Sequence, residues 1–309
     1  MKIVALAGGV GGAKLVDGLA KLLPPEDLSI IVNTGDDFDH LGLRICPDLD
    51  TVCYTLAGLS NPETGWGRSG DTWNCLAAIR ELAGPDWFHL GDGDVGTHLV
   101  RTFRLGHGEP LSAIVSSFCV SWGIQVKVLP MTDERVSTQI LTQDGNQLDF
   151  QEYFVRLLCQ PAVKAIIFDG ADSAEPAPGV LEAIDLADFI IFCPSNPWVS
   201  INPILSIPGI RERVIKKKVV AISPIIGGKT IKGPAAKMYQ EFGITPSALA
   251  VARHYEGIIE GFIFDITDHD LKVDIERLVK KACATNTIML DSDSRKKLAQ
   301  EVLKFCLEL

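Results

Sequence analysis

No Cys-x-x-Cys pair occurs in this chain, although eight cysteines lie at positions 46, 53, 75, 119, 159, 193, 283 and 306. A zinc ribbon and a thioredoxin-type redox pair are therefore unsupported. Cys119 and Cys193 stand in apolar runs and read as buried free thiols, which suits a reducing, cytoplasmic setting. A basic-then-apolar leader is missing, and no apolar run approaches the roughly 18 residues of a membrane span. Positive charge is scarce: 29 Lys and Arg against 39 Asp and Glu leave a net charge of −10. That balance disfavours non-specific nucleic-acid and anionic-membrane binding. Without a Gly-x-Ser-x-Gly elbow, serine hydrolysis lacks support, and nothing local marks a cysteine nucleophile. His89 and His98 form no metal-ligand pattern and also fit as hydrogen-bonded surface or core residues. Repeats, low-complexity segments and long linkers are absent as well.

What is present begins with glycine. Lys2 to Ala7 reads as a short apolar strand, followed by Gly8-Gly9-Val10-Gly11-Gly12 and a helix beginning near Ala13-Lys14-Leu15. A second strand, Leu28 to Val32, completes a βαβ unit and runs into Asn33-Thr34-Gly35-Asp36-Asp37. Four glycines in five residues let backbone approach a ligand. The amides of such a turn and of the helix after it make an anion site, so a phosphate or nucleotide pocket is expected there. The turn is not a Walker A loop, because Lys14 lies between Ala13 and Leu15. Nor is it a full dinucleotide fingerprint: Lys14 replaces the third glycine, and Asn33 stands where a ribose-binding acid belongs. An NAD-linked oxidoreductase is disfavoured on those grounds. A tight turn with no ligand remains the plain alternative.

The 47% hydrophobic and 22% charged content is that of a globular protein. Further strands are expected at Val126–Leu129, Val163–Phe168, Phe189–Cys193, Val219–Ile222 and Gly261–Phe264. Ser137–Thr142 and Gln147–Phe150 flank Gln143-Asp144-Gly145-Asn146, a hairpin signal. Helices are expected from a cap at Asp50 or Thr51 to about Leu59, and over Asp71–Leu82, Val95–Arg104, Pro110–Trp122, Pro178–Leu186, Gly209–Lys217, Pro234–Phe242 and Ser292–Cys306. The alternation predicts an α/β fold: a Rossmann-like, doubly wound, mostly parallel sheet with helices on both faces. One domain over residues 1–309 is expected, with a small hairpin-containing insert near 125–160.

Four segments carry more polar residues than packing requires: Asn33–Asp37, Cys46–Thr51, His89–His98, and Pro194–Pro197 paired with Ser223–Lys229. In a doubly wound sheet, loops at the strand carboxyl ends share one edge and converge there. Carboxylates beside a phosphate-binding turn suggest Mg²⁺, drawn from Asp36, Asp37, Asp48 and Asp50. Asp36, Asp37, Asp48 and Asp94 fit equally as turn formers or caps. Lys14, Arg44, Arg68, Arg101, Lys229 and Lys232 are the cations placed beside polar turns. Amides, cations and a metal together point to phosphoryl-type transfer.

These stretches resemble the 2-phospho-L-lactate transferase family of coenzyme F-420 biosynthesis. The similar segments are Ala7–Lys14, Asn33–Asp37, Cys46–Thr51, Gly65-Trp66-Gly67, Leu90-Gly91-Asp92, Thr97-His98-Leu99, Pro130–Arg135, Pro194–Pro197 and Ser223–Lys229. The resemblance implies that a guanylylated phospholactate, or its phosphoenolpyruvate counterpart, donates its phospho-acyl unit. The acceptor is the ribityl hydroxyl of the deazaflavin Fo (7,8-didemethyl-8-hydroxy-5-deazariboflavin), GMP leaves, and Mg²⁺ assists. It also implies roles. Asp50 is the central carboxylate, with Asp36 and Asp37 as further metal ligands. Gly9, Gly11, Gly12, Lys14, Asn33, Ser195, Asn196 and Gly228 hold the guanosine diphosphate part; Trp66, His89 and Asp92 lie near the deazaflavin. A homodimer is expected, with small molecules as the other partners. One departure stands out: Gly93 occupies the place of an arginine usual in Leu-Gly-Asp-Arg-Asp, and Arg68 or Arg101 is the candidate substitute. The competing reading is a nucleotide-sugar-binding regulator of the related gluconeogenesis-factor family.

Overall fold

The computed structural model describes residues 1–309. Its spine is a sheet of seven parallel strands, each short and buried on both faces except at the margin. They are β1 (Ile3–Ala7), β2 (Leu28–Val32), β5 (Lys127–Pro130), β9 (Phe189–Phe192), β10 (Lys218–Ile222), β13 (Gly261–Asp265) and β14 (Lys281–Thr285). The spatial order is β5-β2-β1-β9-β10-β13-β14. Order reverses between β1 and β9, so the crevice at their carboxyl ends is the switch point where such sheets bind ligands. Alternate residues of β1 serve opposite cores: Val4 and Leu6 join one buried cluster, Ile3, Ala5 and Ala7 the other.

Helix α1 (Gly9–Ala20) follows β1 directly, and the hairpin β3 (Phe38–His40) and β4 (Leu43–Ile45) follows β2. Helices α2 (Pro47–Leu56), α3 (Asn74–Glu81), α4 (Asp92–Gly106) and α5 (Leu111–Ser121) then lead to β5. Strands β6 (Ser137–Thr142), β7 (Gln147–Asp149) and β8 (Val163–Asp169) form a separate antiparallel sheet in the order β7-β6-β8. Helix α6 (Val180–Leu186) precedes β9; α7 (Asn202–Ser206) and α8 (Ile210–Val214) precede β10. A short ribbon, β11 (Ile225–Ile226) with β12 (Lys229–Thr230), comes next, then α9 (Ala235–Glu241) and α10 (Ala248–His254). Helix α11 (Lys272–Glu276) joins β13 to β14, and α12 (Ser292–Leu307) packs against α1. No helix is long and apolar enough to cross a membrane.

The expected Rossmann-like α/β architecture is the observed one, with four local corrections. Helix α1 begins at Gly9, not near Ala13, so the glycine turn is itself the first turn of the helix. Helix α2 begins at Pro47 after Cys46, and Asp50 and Thr51 lie inside it; proline at the first helical position fits that start. Strand β8 belongs to the insert, not to the parallel sheet, and the insert's strands run from Ser137 to Asp169. Its core of Ile140, Phe150, Tyr153 and Val163 closes on Val199 and Met238 of the main body. Two elements had no readable signal. The β3–β4 turn uses Leu41 (φ 52°) with Gly42 (φ 76°), where a two-residue hairpin usually advertises itself as Asn-Gly. Strand β14 is a half-buried edge whose sequence, Lys-Ala-Cys-Ala-Thr, carries little strand propensity.

Candidate functional site

The switch-point crevice is closed by close backbone contact. Ser195 Oγ accepts from Gly8 N at 3.2 Å and donates to Gly8 O at 2.8 Å, tying the β9 loop to the end of β1. A Cβ on Gly11 would stand 2.2 Å from Pro194 O, and one on Gly12 2.8 Å from Ser195 Oγ. Those two glycines are thus required by packing against the β9 loop. Gly9 adopts φ 62°, and its N–H donates to Asp48 Oδ1 at 2.7 Å. The other first-turn amides of α1 point out of the helix end, as helix geometry dictates, toward the crevice.

Asp48 is the hub that joins this turn to the acidic loops. Its other oxygen accepts from Asn33 Nδ2 at 2.9 Å; Asn33 also donates to Val199 O and accepts from Gly35 N. Asn33 is fully buried with its hydrogen-bonding capacity used, so it organises the site from below. Burial raises the Asp48 carboxyl to about 6, against the bonds from Asn33 and Gly9 that lower it. Burial, then the Asp48 charge, push Asp36 well up; burial pushes Asp37 up to about 8.

Do these acids suit Mg²⁺? Magnesium takes oxygen ligands and commonly shares one or two carboxylates with substrate phosphates. Asp36 Oδ1 and Asp37 Oδ1 are buried without a hydrogen-bond partner, and burial biases both carboxyls toward the neutral form, which a bound cation would reverse. The side chains alone form no three-ligand metal cage, so phosphate oxygens would have to complete one. With that proviso Asp36 and Asp37 fit the ion.

Asp50 is placed differently. Its neighbour is α4, whose buried face carries Asp94, Thr97, His98 and Arg101. Arg101 Nη1 donates to Asp50 Oδ2 at 3.1 Å, and Nη2 donates to Oδ1. Burial disfavours the Arg101 charge, but Asp50 more than offsets that. His98 Nδ1 lies 3.1 Å from Arg101 Nη1 and 3.7 Å from Asp50 Oδ2. Burial, then the Asp50 charge, raise Asp94 to about 6. Tyr54 OH donates to Thr97 Oγ1 at 2.9 Å, completing the polar contact between α2 and α4.

The loop over residues 60–70 covers this cluster. A Cβ on Gly65 would stand 2.8 Å from Val10 Cγ1 of the glycine turn, and one on Gly67 3.4 Å from Asp94 Oδ2. Trp66 lies between those contacts and is 44% exposed, leaving its face open at the mouth. Gly93 abuts Arg68, whose Nη1 reaches Gly93 O at 3.5 Å. Of the two arginines that could replace one at 93, Arg68 is therefore the neighbour, and Arg101 is committed to Asp50.

Other expected ligands also make structural contacts. Asp92 accepts from Thr72 Oγ1, Asn74 N, Asn74 Nδ2 and Cys75 N, so its carboxylate caps α3. Asp71 returns the arrangement by accepting from Gly93 N and Asp94 N at the start of α4. His89 is exposed and meets Trp73 edge-on at 6.3 Å. Lys14 Nζ donates to Met289 O at 2.7 Å; burial, then Arg295, lower its pKa. Asn196 caps the turn after it by accepting from Trp198 N at 3.0 Å. Gly228 sits in the β11–β12 turn at φ 75°. What residue reasoning under-weighted is the partnership of Asp50 with Arg101 and His98. Its trace was there: positions 94, 98 and 101 fall on one helical face.

Comparison with known proteins bears on this arrangement. Residues 3–305 match the family described as 2-phospho-L-lactate transferase CofD. A phosphoenolpyruvate transferase of Streptomyces griseus is 44% identical over 316 residues, covering 100% of this chain and 99% of that protein. One from Thermobifida fusca is 46% identical over 88% of this chain and 89% of that protein. A 2-phospho-L-lactate transferase of Methanosarcina mazei is 37% identical over 98% and 99%. Among solved structures, a UPF0052-family protein of Bacillus halodurans superimposes with a TM-score of 0.61 at 17% identity, covering 98% of each chain. That last likeness concerns the fold alone.

Proposed function

The chain belongs to the 2-phospho-L-lactate transferase CofD family and is a transferase; from that premise we propose the reaction it performs. A guanylylated phospho-acid donates its phospho-acyl unit to the ribityl hydroxyl of Fo, releasing GMP and giving F-420-0 or its dehydro form. Phosphoenolpyruvate is the first choice of acid, because relatives bearing that name match at 44% and 46% identity, against 37% for the phospholactate enzyme. The observation that carries the reading is the hydrogen bond from Gly9 N to Asp48, which joins the anion-binding turn to the carboxylate cluster.

In this reading the guanosine diphosphate part lies across the β1–β9 crevice, on the amides that follow Gly9 and beside the loop of Ser195 and Asn196. Asp36 and Asp37, with Asp50 close by, would hold Mg²⁺. The ion, when bound to the diphosphate, offsets charge that develops on its oxygens. Asp50, fixed by Arg101, orients the acceptor hydroxyl. The hydroxyl oxygen forms a bond to phosphorus as the bond to the GMP phosphate breaks, and GMP leaves with the electron pair. The hydroxyl proton passes to Asp94, whose carboxyl near 6 is matched to neutral pH. Trp66 offers a stacking face for the deazaflavin, with His89 at the outer edge. A homodimer and a cytoplasmic location belong to the same proposal. The outer face of α4 supports the first: Leu99, Val100 and Phe103 are 53%, 48% and 65% exposed there.

The test is mass spectrometry of products after incubation with Fo, Mg²⁺ and each guanylylated donor. The expected products are GMP and the matching F-420 precursor; the enolpyruvyl and lactyl products differ by two hydrogens. No product from either donor, with thermal stabilisation by UDP-N-acetylglucosamine alone, would move the chain to the regulatory reading.

A further inference from the structure

Arg68 is a cation without an anion. Arg44 is paired with Asp39 and Arg101 with Asp50, Lys14 and Lys232 rest on the carbonyls of Met289 and Thr64, and Lys229 is exposed on β12. Arg68 forms no ion pair: its guanidinium lies over the Tyr54 ring, 5.6 Å from the centroid, and touches Gly93 O. Tyr54 follows Asp50 by four residues on α2, so the shelf under Arg68 and the Asp50 carboxylate share a helical face. The seat depends on Gly93. A Cβ there would stand 3.3 Å from Arg68 Cδ and 3.2 Å from both Asp71 carboxylate oxygens. Gly67, just before Arg68, lies against Asp94. Arg68 is thus the half-exposed cation beside a cluster of buried carboxylates.

A donor of the proposed kind brings two anionic parts to this place, the diphosphate and the carboxylate of its acid. The amides of the glycine turn serve the first. For the second, the nearby Arg101 is already neutralised by Asp50, whereas Arg68 has no ion-pair partner. A planar guanidinium on an aromatic shelf, with its remaining donors free, matches a carboxylate in a two-point contact. Resting on the functional reading above, we propose that Arg68 binds the carboxylate of the phospho-acid carried by the donor and so sets which acids the site accepts. The diphosphate and the deazaflavin do not use it.

The experiment compares full-length wild type with Arg68→Gln and Arg68→Lys in steady-state turnover, and in calorimetric titration with the guanylylated phosphoenolpyruvate donor and with GDP. Wild-type turnover, measured first, decides the functional reading on its own. For Arg68→Gln the donor KM and Kd are expected to rise about 10- to 100-fold, the loss of one charge-assisted contact. Arg68→Lys falls between, and the GDP Kd, the Fo KM and the melting temperature hold. A donor Kd within about twofold of wild type in Arg68→Gln overturns the proposal. So does a parallel loss of GDP affinity, which would put Arg68 on the diphosphate. An unchanged donor KM with only a displaced pH profile would reduce Arg68 to a partner of Asp94, and also overturns it. The titration reads the donor contact even if wild type turns nothing over.

Discussion

Arg101 on α4 donates through both terminal nitrogens to the two carboxylate oxygens of Asp50 on α2, and both side chains are buried. The same guanidinium nitrogen that serves Asp50 Oδ2 lies 3.1 Å from His98 Nδ1. A guanidinium only donates, so His98 Nδ1 accepts and the ring is the neutral Nε2–H tautomer. Burial lowers His98 to about 4, in agreement. One arginine therefore fixes both the direction of Asp50 and the tautomer of His98.

Removing one partner leaves a buried charge. Arg101→Gln is expected to cost about 3–5 kcal/mol by thermal or urea unfolding. The paired change Asp50→Asn with Arg101→Gln should recover most of that, because no unpaired charge remains. Turnover should behave non-additively: if Arg101 acts through Asp50, the double variant is no slower than Asp50→Asn. A double variant slower than Asp50→Asn by the full single-mutant factor would show an independent role for Arg101.

The acidic loops predict an unusual pH dependence. Asp37, raised to about 8 when folded, and Asp36, raised well above its ordinary value, hold protons that the unfolded chain has released above pH 4. Native protein then binds more protons than unfolded, so stability falls as pH rises toward about 8. His98 and His254, both lowered to about 4, act oppositely, but only below their unfolded pKa near 6.5. Between about pH 6.5 and 8 the histidines no longer contribute and the two raised carboxylates lead, at up to about 1.4 kcal/mol per pH unit for each. Melting temperatures of metal-free protein should decline across that window. Asp37→Asn should flatten the decline, and Mg²⁺ with GDP should do so in wild type. A wild-type melting temperature that rises from pH 6.5 to 8 would contradict the placement of Asp36 and Asp37.

The glycine turn separates packing from conformational freedom. Gly11→Ala places a methyl 2.2 Å from Pro194 O, a backbone atom that cannot swing aside. A loss of about 1–3 kcal/mol is expected, with the crevice distorted and nucleotide affinity reduced. Gly96→Ala, on the open face of α4 with nothing within 4 Å, should be neutral or stabilising. Equal melting temperatures for the two variants would mean that the β9 loop does not press on the turn.

Much of this was legible from residue types and order. Apolar strands spaced by helices set the doubly wound sheet, and the glycine run marked its first carboxyl end. The loops at Asn33–Asp37, Cys46–Thr51 and Pro194–Pro197 do meet there, because strand order brings them to one edge. The division of labour among the polar residues was not legible. Asn33, Asp92 and Asn196 look like ligands in sequence and in the structure also brace and cap, since an amide or carboxylate satisfies backbone donors as readily as a substrate. Lys14 reads as a phosphate cation, and the sequence gives no sign that its ammonium also meets Met289 O, nearly the whole chain away. The Leu41–Gly42 hairpin was silent because leucine seldom takes φ near 52°.

Asp92 gives the sharpest separation between a cap and a ligand. Its carboxylate takes four donors around the start of α3, first among them Thr72, which hold it down at about 2. A folded pKa below the unfolded value stabilises above pH 4, and that support is lost as pH falls toward 2. Asp92→Asn keeps the shape but removes the charge that binds those donors. The melting temperature should drop at pH 7, and the difference from wild type should shrink on acidification. The KM for Fo should stay near the wild-type value, because the carboxylate is held by the donors at the start of α3. An Fo KM raised without any change in melting temperature would reverse the assignment and return Asp92 to the substrate.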